Sequence, residues 1–421
     1  MHIEVPYGTG VQKAELLDTL RIQVIDPGCP DFHVPVTKLI EDALDHPVSS
    51  KKLEEMVTPE ERVAVIVNDQ TRPGPNKEMV QAVIARLKRA GVADDHISLV
   101  IATGSHRAPT EAELETLIGK ELRNRIPVIS HDCRKNNVYI CDTDEGMPVY
   151  IDRAVAEADF IITTGLVAPH KAAGFSGGRK SIVPGVAGME TLRIHHSLPV
   201  RPYEPALGWY EDNPFHKAAL AAARKVNVRF ILNAVQDTRK QNIAVVAGDL
   251  DLAHQEGVRI CRKHNVVECE QRGDLIIASP GGAPRDCNLY QSQKALAAAE
   301  VFAEKDGEVT LVLVACAEEG IGPQLFQDWL VEGKNPDEII RRFRQEGFSE
   351  GTNKAFEYAR AMKKGRIVIV SENCDPQRLR QMGLEWAPSL QAAVDRTLER
   401  YTPRQVIVLP KAAAIIPQFR D

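Results

Sequence analysis

The chain has 421 residues, 52 Lys and Arg against 58 Asp and Glu, and a formal net charge of −6, with 43% apolar, 26% charged and 5% aromatic residues. This composition suits a globular chain long enough for two domains, and its acidic balance and scarce aromatics exclude the basic stripe and stacking platforms of a nucleic-acid binder. The most apolar stretch, Val406 to Pro417, is too short for a bilayer span and is broken by Pro410 and Lys411, and MHIEVPYGTGVQ has no leader pattern, so a cytoplasmic protein away from membranes is expected.

In chain order, HIEVPYG (His2 to Gly8) and LRIQVID (Leu20 to Asp26) read as short strands, the second ending in a Pro27-Gly28 turn, and apolar periodicity from Val36 to Leu44 predicts a helix. Four β-branched runs follow, Arg62 to Asn68, Ile97 to Thr103, Phe160 to Thr164 and Arg229 to Val235, with helical periodicity over Lys77 to Ala90 and His216 to Lys225. Strands alternating with helices predict a mainly parallel sheet covered on both faces. After a connecting helix, Leu252 to His264, a second unit of the same kind begins near Gly273. It has strands at Asp274 to Ala278, Val309 to Ala315, Arg366 to Val370 and Gln405 to Leu409, and a helix from Leu289 to Phe302. The expected fold is therefore two α/β domains with mainly parallel sheets and a ligand cleft between them: residues 1–265, residues 272–409 with a Rossmann-like pattern, and a 410–421 tail returning to the first domain. The eight cysteines form no CxxC pair or Cys/His cluster, so reduced thiols without structural zinc are expected.

Candidate chemistry follows three of the early strands, and ligands of open α/β sheets bind beyond the carboxyl ends of strands. NDQTRPGP sets Asp69 and Arg72 in a turn bounded by Pro73 and Pro75; Arg suits bidentate binding of a carboxylate or phosphate, and a loop salt bridge is the plainer reading. TGSHR places His106 just past a strand end, where an imidazole can serve as a general base or remain an ordinary surface histidine. In the run from Gly165 to Gly185, five glycines (165, 174, 177, 178 and 185) with Pro169 and Pro184 disfavour helix or strand, so the backbone N–H groups can turn to an anion, and Arg179 and Lys180 add positive charge. Read alone, this run is equally a solvated glycine-rich loop. His170 lies within it, and His195-His196 follow on a helix, where adjacent side chains diverge so that at most one enters a given site. No HExxH or His/Cys/Asp cluster supports a metal held by protein ligands alone, whereas a metal brought by a cofactor needs only one histidine. Farther on, Tyr290, Gln291 and Lys294 in NLYQSQK open a helix, with Tyr290 and Lys294 one turn apart on one face; a solvated amphipathic helix accounts for them as well.

DQTRPGP, GSHRAPT, APHKAAGFSGGRKSIVPGVAG, the histidine that follows and LYQSQK, in this order from Asp69 to Lys294, resemble the lactate racemase family. The resemblance implies a racemase or epimerase acting at C2 of a 2-hydroxy acid with a nickel-pincer nucleotide, a pyridinium-3,5-bisthiocarboxylic acid mononucleotide bearing nickel. It maps the tethering lysine to Lys180, with Gly177, Gly178 and Arg179 around the cofactor, and selects His196 over His195 as nickel ligand. It assigns acid–base roles to His106 and His170 and places Asp69, Arg72, Tyr290, Gln291 and Lys294 around the substrate. It also implies separate cofactor-making partners: a carboxylase, a sulfur-inserting enzyme and a nickel insertase. Hydride removal from C2, with one histidine taking the hydroxyl proton, avoids a carbanion beside a carboxylate and passes through a 2-keto acid. Family substrates range from lactate-like to aromatic, dicarboxylic and sugar acids, and the C3-side residues lie outside these motifs. A phosphate-binding kinase or NTPase fits less well, because Arg179 stands where a P-loop needs glycine before the lysine; a non-catalytic nickel-binding protein is the third reading.

Overall fold

The computed structural model describes residues 1–26 and 31–419, so the expected Pro27-Gly28 turn lies outside the described residues. Among these residues no helix is long and apolar enough to cross a membrane.

The chain forms two compact units whose membership differs from the expected division. One takes residues 1–26, Tyr203–Leu207 and residues 265–419; the other takes residues 31–202 and Gly208–His264. The opening strands, expected with the residues that follow them, thus join the C-terminal unit. Alternation explains this: Ile3, Val5, Ala14 and Leu16 point one way from a His2–Tyr7/Gly10–Glu15 hairpin and enter the core built on the C-terminal sheet. Which sheet receives such a face is a tertiary fact that local pattern does not encode. The 410–421 tail was expected to return to the first domain; its described residues, 410–419, stay in this unit, where Ile416–Phe419 pairs in parallel with Val266–Cys269.

The unit built mainly from residues 31–264 holds a six-stranded sheet in the order Asn242–Gly248, Val228–Gln236, Phe160–Val167, Val63–Asn68, Ile97–Ala102, Val128–Ser130. Every neighbouring pair is parallel except the first, which is antiparallel. The Val63–Asn68 and Phe160–Val167 strands are buried along almost their whole length, as a sheet covered on both faces requires. One face packs against helices Val36–Asp45, Asn76–Arg89 and Glu111–Ile118 through a core that includes Leu44, Val83, Leu87 and Ile118. The chain steps from Val63–Asn68 to one side, then returns to lay Phe160–Val167 on the other, so the strand order reverses between these two. That reversal is where open α/β sheets bind ligands.

The other unit has a six-stranded, wholly parallel sheet in the order Glu385–Ala387, Arg366–Val370, Thr310–Val314, Leu275–Ala278, Val406–Leu409, Ile22–Val24. The turn of the N-terminal hairpin is tied to loops at its carboxyl ends: Ser279 Oγ donates to the Pro6 carbonyl at 2.6 Å, Gly8 N donates to Asp286 at 2.7 Å, and Glu372 N donates to the Tyr7 hydroxyl at 3.0 Å. The position that a Rossmann-like sheet leaves for a ligand is here taken by the chain's own hairpin.

Candidate active site

The three loops singled out by sequence leave three adjacent parallel strands, Phe160–Val167, Val63–Asn68 and Ile97–Ala102, at the same edge of the sheet. Hydrogen bonds join them, among them Asp69 Oδ2 to His106 Nδ1 at 2.7 Å and Gly104 N to the Gly185 carbonyl at 2.9 Å.

Asp69 is 3% exposed. Its other oxygen accepts from the Thr71 hydroxyl at 2.7 Å, and Thr71 in turn accepts from Arg72 Nη1 at 3.1 Å. Burial raises the Asp69 pKa, but the hydrogen bond and charge of His106, with Arg72 and Thr71, outweigh it and hold the carboxyl below its ordinary value. A carboxylate can only accept, so it fixes the proton of His106 on Nδ1 and leaves Nε2 as the acceptor nitrogen. His106 is therefore set as a base, and Asp69 orients it.

Past Val167, where strand Phe160–Val167 ends, the glycine-rich run makes no regular element of length. Pro169–His170 pairs with Gly174–Phe175 as a two-residue ladder, and Gly178–Ser181 forms a single 3-10 turn. A Cβ at Gly177, whose φ is +83°, would lie 2.5 Å from Asn233 Oδ1, the atom that accepts from Gly178 N at 2.7 Å. Arg179 is 1% exposed and donates to the Gly177 and Ala173 carbonyls, with His254 Nε2 at 2.9 Å; its Nε has no partner, and among the described residues no carboxylate pairs with it. Burial pushes this guanidinium down to about 10. Lys180 Nζ lies 2.9 Å from His170 Nε2, while His170 Nδ1 accepts from the backbone N–H groups of Ala172 and Ala173 at 3.1 and 3.0 Å.

Phe215 gathers the remaining groups. Its ring centroid lies 3.8 Å from that of His195, 5.1 Å from His196 and 6.4 Å from His170, with Lys180 Nζ at 5.6 Å. Phe215 is placed by the Asn213 cap of helix Pro214–Lys225: the Asn213 side chain accepts from Phe215 N at 2.9 Å and donates to the Ala172 carbonyl at 2.8 Å, locking the helix start to the loop that carries His170. His195 ends helix Met189–His195 and His196 caps it. The two rings do not diverge: their Nδ1 atoms are 3.3 Å apart. His195 is fully buried, which pushes it down to about 3, so its ring is neutral. Its Nε2 faces the Phe215 carbonyl at 2.9 Å and must carry the proton, so its Nδ1 accepts from His196 Nδ1–H. His196 then bears its lone pair on Nε2, and burial first, with the neighbouring His195 ring and the Arg201 charge next, holds it well below its ordinary value.

On the other unit, Asn288 caps helix Leu289–Phe302 by accepting from Gln291 N at 2.8 Å, and Lys294 Nζ donates to Gln291 Oε1 at 3.0 Å. The Tyr290 ring packs edge-on to Phe326, with Lys354 Nζ 5.1 Å from its centroid. The structure thus brings Asp69, Arg72 and His106 together, gathers His170, Lys180 and His196 about Phe215, and groups Tyr290, Gln291 and Lys294 on their own helix. Asn233 and Phe215 were not found from sequence. A fully buried asparagine within the apolar run RFILNAV was the available signal for the first, and the Asn-Pro cap before Phe215 for the second.

Comparison with known proteins gives a consistent set of likenesses. The family model for the lactate racemase N-terminal domain matches residues 7–206, and that for the lactate racemase C-terminal domain matches residues 268–416. A lactate racemase of Thermoanaerobacterium thermosaccharolyticum is 30% identical over 403 residues, 93% of each chain, and one of Lactiplantibacillus plantarum is 29% identical over 427 residues, 98% of this chain and 99% of that one. The solved lactate racemase apoprotein of T. thermosaccharolyticum superposes with a TM-score of 0.90 at 26% identity, covering 99% of this chain and 100% of that one.

Proposed function

The chain belongs to the lactate racemase family, and from that premise we propose that it inverts C2 of a 2-hydroxy acid, using a nickel-pincer nucleotide tethered to Lys180 and made by separate carboxylase, sulfur-inserting and nickel-inserting proteins. The observation that carries the reading is the placement of the Asp69–His106 pair and the His170–Lys180 pair at the ends of neighbouring strands where the strand order reverses. The residues present suit such a cofactor. Arg179 is a buried guanidinium whose Nε has no partner and which no described carboxylate neutralises, as an anionic group nearby would require. His196 offers a neutral imidazole with its lone pair on Nε2, a donor suited to Ni(II) alongside softer sulfur ligands. When bound, the cofactor supplies a reversible acceptor for the C2 hydride.

The protein residues do the rest. His106, held by Asp69, accepts the hydroxyl proton at Nε2 as the C2–H bond breaks, and returns it when the 2-keto acid is reduced. His170 supplies the second acid–base group, which inversion requires because the two enantiomers present their hydroxyls differently. Arg72 binds the substrate carboxylate, with its Nη1 steadied by Thr71, and Tyr290, Gln291 and Lys294 supply further polar contacts from their own helix. Peptide mass spectrometry of protein co-produced with the cofactor-making proteins tests the tether: an adduct on Lys180 is expected, and active enzyme with unmodified Lys180 would refute it.

A further inference from the structure

The contact between His170 and Lys180 fixes more than a distance. Two backbone N–H groups, those of Ala172 and Ala173, point at His170 Nδ1 at 3.1 and 3.0 Å, so Nδ1 must hold a lone pair; a proton there would face two other protons. A neutral imidazole has one N–H, which therefore sits on Nε2. Nε2 is the atom 2.9 Å from Lys180 Nζ. An ammonium has three donors and no acceptor, so an N–H facing it at that distance would be repulsive, whereas an amine accepts the bond. The surroundings act in the same direction: the preceding residue is the buried Arg179 guanidinium, and Ala172, Ala173 and Phe215 form a buried apolar cluster beside the pair.

We propose that, before any cofactor is attached, His170 acts as a positioning residue that holds Lys180 as an unprotonated, nucleophilic amine, so that this lysine is primed for acylation near neutral pH. The arrangement releases itself. Acylation forms a C–N bond as Nζ attacks the acyl carbon of a cofactor arm; the arm's C–O or C–S bond breaks, and the leaving group takes up one amine proton and departs as water or hydrogen sulfide. The Nζ lone pair is then delocalised into the amide-type linkage and no longer accepts from His170, whose Nε2–H is released to another acceptor. Only the purpose of the device rests on the proposed function; the protonation state stands on the geometry.

The test uses the full-length protein made without the cofactor-making proteins. Trace acetylation with N-hydroxysuccinimidyl acetate is followed by peptide mass spectrometry between pH 6 and 10.5, giving a rate-against-pH profile for each lysine normalised to its own high-pH plateau. Exposed Lys38 and Lys120 serve as internal references. Their rates should fall tenfold per unit below the ordinary lysine value. Lys180 should hold its plateau down to about pH 7, so that at pH 7.5 its normalised rate exceeds theirs by on the order of 500-fold. His170→Gln, whose amide oxygen accepts from an ammonium, should return the Lys180 midpoint to that of the references. A wild-type Lys180 profile matching Lys38, or a His170→Gln profile unchanged from wild type, would overturn the inference. A depressed Lys180 midpoint in a protein that never acquires an adduct when co-produced with the cofactor-making proteins would support the inference and refute the proposed function instead.

Discussion

The Asp69–His106 pair, which the proposed function uses as machinery, has a counterpart of the same residue types that the fold uses as scaffold. His131 also meets a carboxylate, Asp152 at 3.1 Å, yet its second nitrogen is bonded to the Ala187 carbonyl at 3.1 Å and the ring is fully buried, so both nitrogens are committed to structure. His106 spends only Nδ1 on its carboxylate and is about one-third exposed, which leaves Nε2 to act on a ligand. Asp69→Asn removes the acceptor that fixes this tautomer. Turnover of cofactor-loaded enzyme should drop by ~10²–10⁴-fold with cofactor content unchanged, measured as racemisation rate per Lys180 adduct. The same pair predicts a pH dependence of stability. Because the folded-state pKa of Asp69 is depressed, its contribution is complete above the ordinary value of 3.8 and is lost as pH falls through the lower folded value. The gap in urea midpoint between wild type and Asp69→Asn should therefore be widest near neutrality and close in acid; a gap that grows on acidification would contradict the assigned hydrogen bond.

At the level of elements, the strands and their following loops were legible because each signal was local. The β-branched runs at 62–68, 97–103 and 160–164 became adjacent parallel strands, and helix Leu289–Phe302 has the expected limits. The glycine-rich run, expected to hold neither helix nor strand, in fact begins inside strand Phe160–Val167 and is irregular only beyond it, apart from a two-residue ladder and one 3-10 turn, and the reason each glycine is needed was hidden. Gly177 is required by a positive φ and by Asn233, 56 residues later, whose side chain occupies the space of a Cβ. Contacts of that separation leave no trace in local periodicity, and the same holds for Phe215 and for the N-terminal hairpin, whose alternation shows a buried face but not its partner. Gly177→Ala should lower stability by about 1–3 kcal/mol and reduce Lys180 adduct formation, by urea denaturation and peptide mass spectrometry. Gly74→Ala, where nothing lies within 4 Å of the added carbon, should change stability by less than about 0.5 kcal/mol. Equal effects at the two positions would show that the Asn233 contact does not constrain the loop.

For the whole molecule, the two units present different chemistry at the carboxyl ends of their sheets. In the C-terminal unit the hairpin turn at Tyr7 and Gly8 covers that position, and its candidate residues lie instead at the start of a helix. In the unit built on residues 31–264 the corresponding position carries His106, Lys180, His170 and His196. The division of labour was only partly readable in sequence: motif order along the chain located the residues, whereas the assignment of the first strands and the tail to the C-terminal unit depends on sheet pairing. The central claim, inversion at C2 by hydride removal and return with His106 as proton acceptor, is tested most directly by incubating cofactor-loaded enzyme in ordinary water with single enantiomers of C2-deuterated 2-hydroxy acids, from lactate to aromatic, dicarboxylic and sugar acids, followed by chiral separation with mass detection. The account predicts that at least one acid yields its mirror form, or its C2 epimer, with the deuterium largely retained, and that His106→Ala lowers this rate by ~10²–10⁴-fold. Absence of inversion across the panel by protein carrying the Lys180 adduct, or inversion with the label washed into solvent, would contradict it.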